Sequence, residues 1–327
     1  MSPARYRAIT GTALAALVVI VITGASVRLT GSGLGCSDWP TCEEDQLIAD
    51  LEIHAMIEFV NRVITGFVSL AVMAAVLGSF FRAPKRRDLL WLSLGLVAGV
   101  IGQIVLGAFV VLSHLNPWLV LWHFMLSMVL VANAVILHAR AGTDDAPPPR
   151  DATAAATAGQ PWYGQRWYRW PITALTLAAI FIGTLVTGSG PHSGSHDGDA
   201  IERLPFEIPS IARIHGLTVA ALVITVIATL WHLHRTNAPS GEQWRARLVL
   251  ASLLVQAAVG YIQYFSGVPV ILVGIHVAGA TFTWIAVLWF HLDASPEPTE
   301  LPVSSNDPTI DRGIADGRAD DARILVP

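Results

Sequence analysis

Eight apolar stretches, each about twenty residues long, alternate with shorter polar segments along the chain. They cover residues 8–29, 53–80, 89–112, 118–138, 170–187, 209–233, 246–266 and 270–291. A helix of about 20 apolar residues matches the thickness of a bilayer's hydrocarbon core. Backbone N–H and C=O groups cannot stay unpaired in hydrocarbon, so each stretch is read as a helix. The predicted fold is an all-α integral membrane protein with eight transmembrane helices. Residues 141–169 are rich in Ala, Pro and Asp and read as a cytoplasmic linker. Residues 292–327 are rich in Pro, Asp and Ser and read as a disordered cytoplasmic tail.

Composition supports this picture. The chain is 53% hydrophobic and 13% charged, whereas soluble domains carry about 25% charged residues. The lipid bilayer is therefore an expected partner, and nucleic acid is not. The net charge of −4 is less informative than where the cations fall. With the N-terminus placed inside, only Arg28, Arg62, Arg203 and Arg213 of the 20 Lys and Arg lie near the outer face. This predicts a multi-pass plasma-membrane protein with both termini cytoplasmic. The first span is too long for a removed signal peptide and lacks a small-residue cleavage site, so it is read as retained.

The spans also repeat. TGSG occurs at 30–33 and at 187–190; QIVLG at 103–107 matches QAAVG at 256–260; His123 matches His276. These landmarks keep the same order in corresponding spans. They predict two parallel pseudo-repeated four-helix bundles, residues 1–140 and 170–291, each beginning and ending inside. Parallel repeats disfavour an inverted-repeat transporter, and bundles with inward-facing ligands are a common way to hold a cofactor.

The 11 histidines separate by position. His138, His232, His234 and His291 sit at cytoplasmic helix ends, where polar-tipped rings are ordinary. His114, His192 and His196 lie in or beside outer loops. The last two suggest either a surface metal site or, given their Gly/Ser context, a solvated loop. His123, His215 and His276 lie inside spans, in the half near the outer surface. A full charge at mid-bilayer costs roughly 2.5–3.5 kcal/mol, so ionisable residues there tend to be functional. A helix–helix hydrogen bond is the plain alternative. His215 and His276 lie in the second and fourth spans of one unit, where two imidazoles can take both axial positions of a haem iron. Aligning the halves places Asn61 opposite His215 and Glu58 opposite Ala212.

The stretch IHAMIEFVNRVITG at 53–66 thus holds His54, Glu58, Asn61 and Arg62 in an apolar context. Helical spacing puts His54, Glu58 and Asn61 on one face. Glu58 reads either as an ion-pair partner of Arg62 or Arg28, or as a proton donor or acceptor in a reaction. Arg62 and Arg28 are also candidates for pairing with haem propionates. Cys36 and Cys42 are the only cysteines and flank SDWPT in the first outer loop, an oxidising setting. They read as a structural staple or as a redox relay.

Together, TGSGLGCSDWPTC at 30–42, EFVNR at 58–62, WHF around His123, and the paired His215 and His276 resemble the haem A synthase family. The resemblance covers roughly residues 8–291. It implies oxidation of the C8 methyl of haem O to a formyl group, giving haem A for cytochrome oxidase. The family is thought to hydroxylate this carbon twice, the gem-diol then losing water. It further implies haem b held between His215 and His276 in the C-terminal half, both haem sites lying toward the outer face. The N-terminal half would bind substrate haem O through His123, with Glu58 essential and Cys36 bonded to Cys42. Haem O synthase is a candidate partner; the electron donor is not encoded in the chain.

The chain departs from the family pattern at one position. Glu-x-x-His-Arg becomes Glu58-Phe59-Val60-Asn61-Arg62, and an amide is a poor iron ligand beside imidazole. Three readings follow: ligation by His123 alone, replacement by His54, or an inactive half. His54 lies about 10.5 Å along an ideal helix from Asn61, too far to serve the same haem without moving it. An open coordination position suits oxidative chemistry, so the first reading is preferred. The competing functions are a membrane di-haem electron-transfer cytochrome, which needs no Glu58, and a parallel-repeat haem transporter, which needs no retained haem b.

Overall fold

The structure is a computed structural model that describes residues 1–36, 38–42, 48–142, 167–192, 194 and 201–292. His196, most of the predicted linker and the tail beyond 292 lie outside the described residues. Eight long helices account for most of what is described: α1 (Pro3–Leu29), α2 (Ile53–Phe81), α3 (Arg87–Leu112), α4 (Pro117–Ala141), α5 (Arg169–Ser189), α6 (Ile208–Arg235), α7 (Ser240–Phe265) and α8 (Val270–Leu292). All eight are long and apolar enough to cross a membrane. The chain is an all-helical, multi-pass membrane protein.

Two helices start earlier than their apolar runs. α1 begins at Pro3 because Ser2 caps it, accepting a hydrogen bond from the Arg5 amide, and proline suits a first helical turn. α7 begins at Ser240 and buries Glu242, which accepts hydrogen bonds from the Tyr168 hydroxyl at 2.8 Å and Arg169 Nη2 at 2.5 Å. That pairing satisfies a charge that hydropathy alone would keep out of a helix in lipid.

Within residues 1–142, α1 packs on α2 and α4, and α3 packs on the same two helices. Within 167–292, α5 packs on α6 and α8, and α7 packs on the same two. Across the middle, α4 meets α5 and α8, while α1 meets α8. One continuous core fills this arrangement, with Val131, Leu137, Val226 and Val287 fully enclosed. The Trp284 indole donates to the Met128 carbonyl at 3.0 Å, a directional bond across that seam. Outward side chains such as Phe67, Leu70, Trp91 and Ile224 are more than half exposed, as a lipid-facing surface requires.

The turns entering α4 and α8 have matching backbone geometry. His114 and Leu115 have φ of 53° and 60°; Gly267 and Val268 have φ of 79° and 59°. Positive φ is costly for leucine and more so for β-branched valine. Each turn offsets this by closing the preceding helix: the Leu115 amide donates to Val110 O at 2.9 Å, and the Val268 amide to Gln263 O at 2.7 Å. These turns launch the helices that carry His123 and His276.

Candidate functional site

In the second half, His215 on α6 and His276 on α8 face each other. Their ring centroids are 6.3 Å apart and their planes are inclined at 77°. Two imidazoles bonded at about 2 Å to opposite sides of one metal would have ring centres about 6 Å apart. The pair therefore fits the axial positions of one haem iron. Each ring is backed by a glycine. A Cβ on Gly183 of α5 would stand 3.2 Å from His215 Cε1, and one on Gly260 of α7 would stand 3.4 Å from His276 Cε1. His276 Nδ1 is buried without a hydrogen-bond partner. His215 Nδ1 lies near the Ala179 backbone but outside hydrogen-bonding geometry. Among the described residues no three of His, Cys, Asp or Glu converge as a protein-only metal site.

The first half reproduces one side of this arrangement. His123 on α4 lies against Gly107 of α3, again with 3.4 Å from a Gly107 Cβ to His123 Cε1, and its Nδ1 is buried and unpartnered. Its backbone is fixed: Gln103 Nε2 and Ser127 Oγ both donate to the His123 carbonyl at 3.1 Å. The QIVLG and QAAVG repeats thus contain the glycines against which His123 and His276 lie. Sequence comparison marked these motifs as landmarks but did not give them this role.

The other side differs. Asn61 stands where His215 would be, and its Oδ1 is buried with no hydrogen-bond partner. It lines a groove of about 330 Å³ between α1 and α2, with Thr23, Ser26, Val27, Ile57 and Val60 among the other walls. By the offset of the TGSG motifs, Ser26 takes the place that Gly183 holds behind His215.

Glu58 is only 5% exposed and has two anchors. Its Oε2 accepts the Cys36 backbone N–H at 2.9 Å, and its Oε1 pairs with Arg62 Nη2 at 2.6 Å. Arg62 Nη1 also donates to the carbonyls of Asp38 and Thr41, at 3.0 and 2.9 Å. Cys36 and Cys42 are disulfide-bonded. Glu58 and Arg62 together therefore clasp both limbs of the disulfide loop onto α2. One turn earlier, His54 Nδ1 hydrogen-bonds Ser32 Oγ at 2.9 Å, and Ser32 bonds Thr30 at 2.9 Å. Gly35 lies so close to the His54 carbonyl that no Cβ would fit. The expected common face of His54, Glu58 and Asn61 is present, directed at α1 and the loop that follows it.

Arg28 points elsewhere. Its guanidinium donates to the backbone carbonyls of His192 and Thr187, each at 3.2 Å, in the second half. His114 is exposed at the α3–α4 turn. At the opposite end of the helices, His138 bonds Thr10 at 3.1 Å and His291 bonds Thr173 at 2.9 Å, as structural staples.

A family model described as cytochrome oxidase assembly protein matches residues 7–53 and 48–288. The chain belongs to this family. Among its curated relatives, Heme A synthase of Lysinibacillus sphaericus is 22% identical over 265 residues, spanning 78% of this chain and 82% of that protein. Heme A synthase of Halalkalibacterium halodurans is 24% identical over 269 residues, spanning 79% and 84%. Heme A synthase of Listeria welshimeri is 31% identical over 123 residues, or 37% and 40% of the two chains. The haem A synthase resemblance carried by the sequence motifs is thereby borne out at the level of the family. The match runs through both halves of the chain, from the first helix to the last.

Proposed function

We propose that the protein is a haem A synthase, a haem-dependent oxidoreductase of the cell membrane. It oxidises the C8 methyl of haem O to a formyl group. The observation that carries this reading is the asymmetry of two otherwise matching halves. One has a facing histidine pair. The other has His123, an orphaned Asn61 oxygen and a buried carboxylate. An electron-transfer cytochrome has no use for that difference, and the family relationship points the same way.

His215 and His276 would hold haem b in the second half. Bound there, haem b supplies a one-electron redox centre. The glycines behind the rings let the imidazoles lie close against α5 and α7. In the first half, His123 presents a single imidazole to the substrate haem O. Asn61 leaves the opposite side without a strong ligand. Glu58 is the proton-handling group beside that site, held by Arg62 and the Cys36 amide. Buried and anchored, it would hold a fixed position beside the substrate methyl. The disulfide loop closes the site from the outer side, and both termini lie in the cytoplasm. Haem O synthase is the proposed source of the substrate.

The test is to purify the protein from cells that also make haem O and to identify the extracted haems by chromatography and mass. Haem A, or a hydroxylated intermediate, is expected beside haem b. Haem b alone contradicts the synthase reading and favours the cytochrome.

A further inference from the structure

One side chain reaches from the end of α1 across to the other half. Arg28, in the last turn of α1, reaches out of the first half with two donors. Nη2 bonds the Thr187 carbonyl and Nε bonds the His192 carbonyl, both at 3.2 Å. No carboxylate pairs with it among the described residues, so this guanidinium is satisfied by backbone. A cation kept near lipid for two neutral carbonyls calls for a reason.

Both carbonyls belong to structure that surrounds the histidine pair. Thr187 lies one helical turn beyond Gly183, the glycine behind His215, and its hydroxyl donates back to the Gly183 carbonyl at 3.0 Å. His192 passes the connection on: its Nε2 bonds the Val268 carbonyl at 2.8 Å. Val268 is one of the two left-handed residues of the turn that launches α8, which carries His276. The next residue of α1, Leu29, also touches this helix, since a Cβ on Gly274 would stand 3.4 Å from its Cδ1. One arm of Arg28 therefore ends behind His215 and the other at the base of the His276 helix.

The same loop contacts the first half. The Gly33 amide donates to the Gly194 carbonyl at 2.9 Å. Gly194, at φ +110°, packs against Leu115 in the equivalent turn, the one that launches α4 with His123. Thr187, His192 and Gly194 thus sit between the two histidine-launching turns, and Arg28 bonds the first two of them.

We propose that Arg28 is a positioning residue through which the first half sets the mutual geometry of His215 and His276. This rests on the reading of that pair as haem b ligands. Arg28 touches no reacting atom; it acts through Thr187, His192 and Val268. A forked donor is required, because the two carbonyls belong to segments that must be held in register.

The experiment uses the full chain, purified with its haem. It compares wild type with Arg28→Lys, Arg28→Gln and His192→Ala by low-spin EPR and by the haem b midpoint potential. The EPR signal reports the angle between the imidazole planes, 77° in this structure. Arg28→Lys keeps the charge and loses the fork. A shift of its low-spin signal and potential from wild type supports the proposal. His192→Ala breaks only the Val268 arm, and a smaller shift is expected. Wild-type spectra and potential in Arg28→Lys overturn the proposal, whether Arg28→Gln shifts through its lost charge or only lowers thermal stability. Should Arg28→Gln not accumulate, Arg28→Lys and His192→Ala decide the matter by the same criteria. Wild-type protein with no bis-histidine low-spin signal overturns the haem b reading itself, and the inference with it.

Discussion

ARIHG at 212–216 and EFVNR at 58–62 occupy corresponding turns of α6 and α2, yet they do opposite things. The first offers an imidazole to a partner imidazole, with alanine where the other half has its acid. The second replaces the imidazole with an unsatisfied amide and adds a carboxylate–guanidinium pair clamped to the disulfide loop. A histidine pair with no nearby acid is suited to holding an iron firmly and exchanging electrons. A single histidine, an open side and a buried acid are suited to changing what is bound.

The largest predicted effect breaks the second half. His215→Ala or His276→Ala removes one of the two proposed axial ligands, and nearly all low-spin haem b should be lost from the purified protein, as read by EPR and pyridine haemochrome. Retention of that signal in either variant contradicts the ligand assignment. The next change erases the difference instead. Asn61→His restores the missing imidazole, and a second low-spin species should form when haem O is supplied, with haem A formation slowed by tenfold or more. Unchanged spectra and turnover would mean that residue 61 does not face the iron.

A smaller effect concerns the clasp. Arg62→Gln removes the ion pair and the bonds to Asp38 and Thr41. Hydrogen bonds to charged groups contribute about 1.5–3 kcal/mol each, so the loop should loosen locally by a similar amount. Faster reduction of the Cys36–Cys42 disulfide by an added dithiol checks this. The smallest effects come from the glycines. Gly183→Ala brings a methyl to 3.2 Å from the His215 ring and should shift the haem b spectrum slightly. Gly107→Ala, at 3.4 Å from His123, should leave haem b unchanged and alter only substrate haem binding.

Much of this was legible in the sequence, and the reasons are specific. The eight spans follow from apolar length because lipid leaves a backbone no alternative to a helix. His123, His215 and His276 stood out because an imidazole inside a span needs a purpose. The early start of α7 was hidden, because Glu242 is tolerated only through Tyr168 and Arg169, more than seventy residues earlier in the chain. The partners of Arg28, and those of Arg62 other than Glu58, were hidden for another reason. They are main-chain carbonyls, which every residue has, so composition carries no trace of them. Glu58 fell between these cases. Its pairing with Arg62 was readable from helical spacing, while its bond to the Cys36 amide depends on how the disulfide loop folds.

The most direct test of the division between halves is Glu58→Gln in protein produced with a haem O source, with all haems extracted and identified from one sample. The account predicts haem b at the wild-type level and haem A reduced at least tenfold. Undiminished haem A would contradict the role given to Glu58, and loss of haem b alongside haem A would contradict the separation of the two halves.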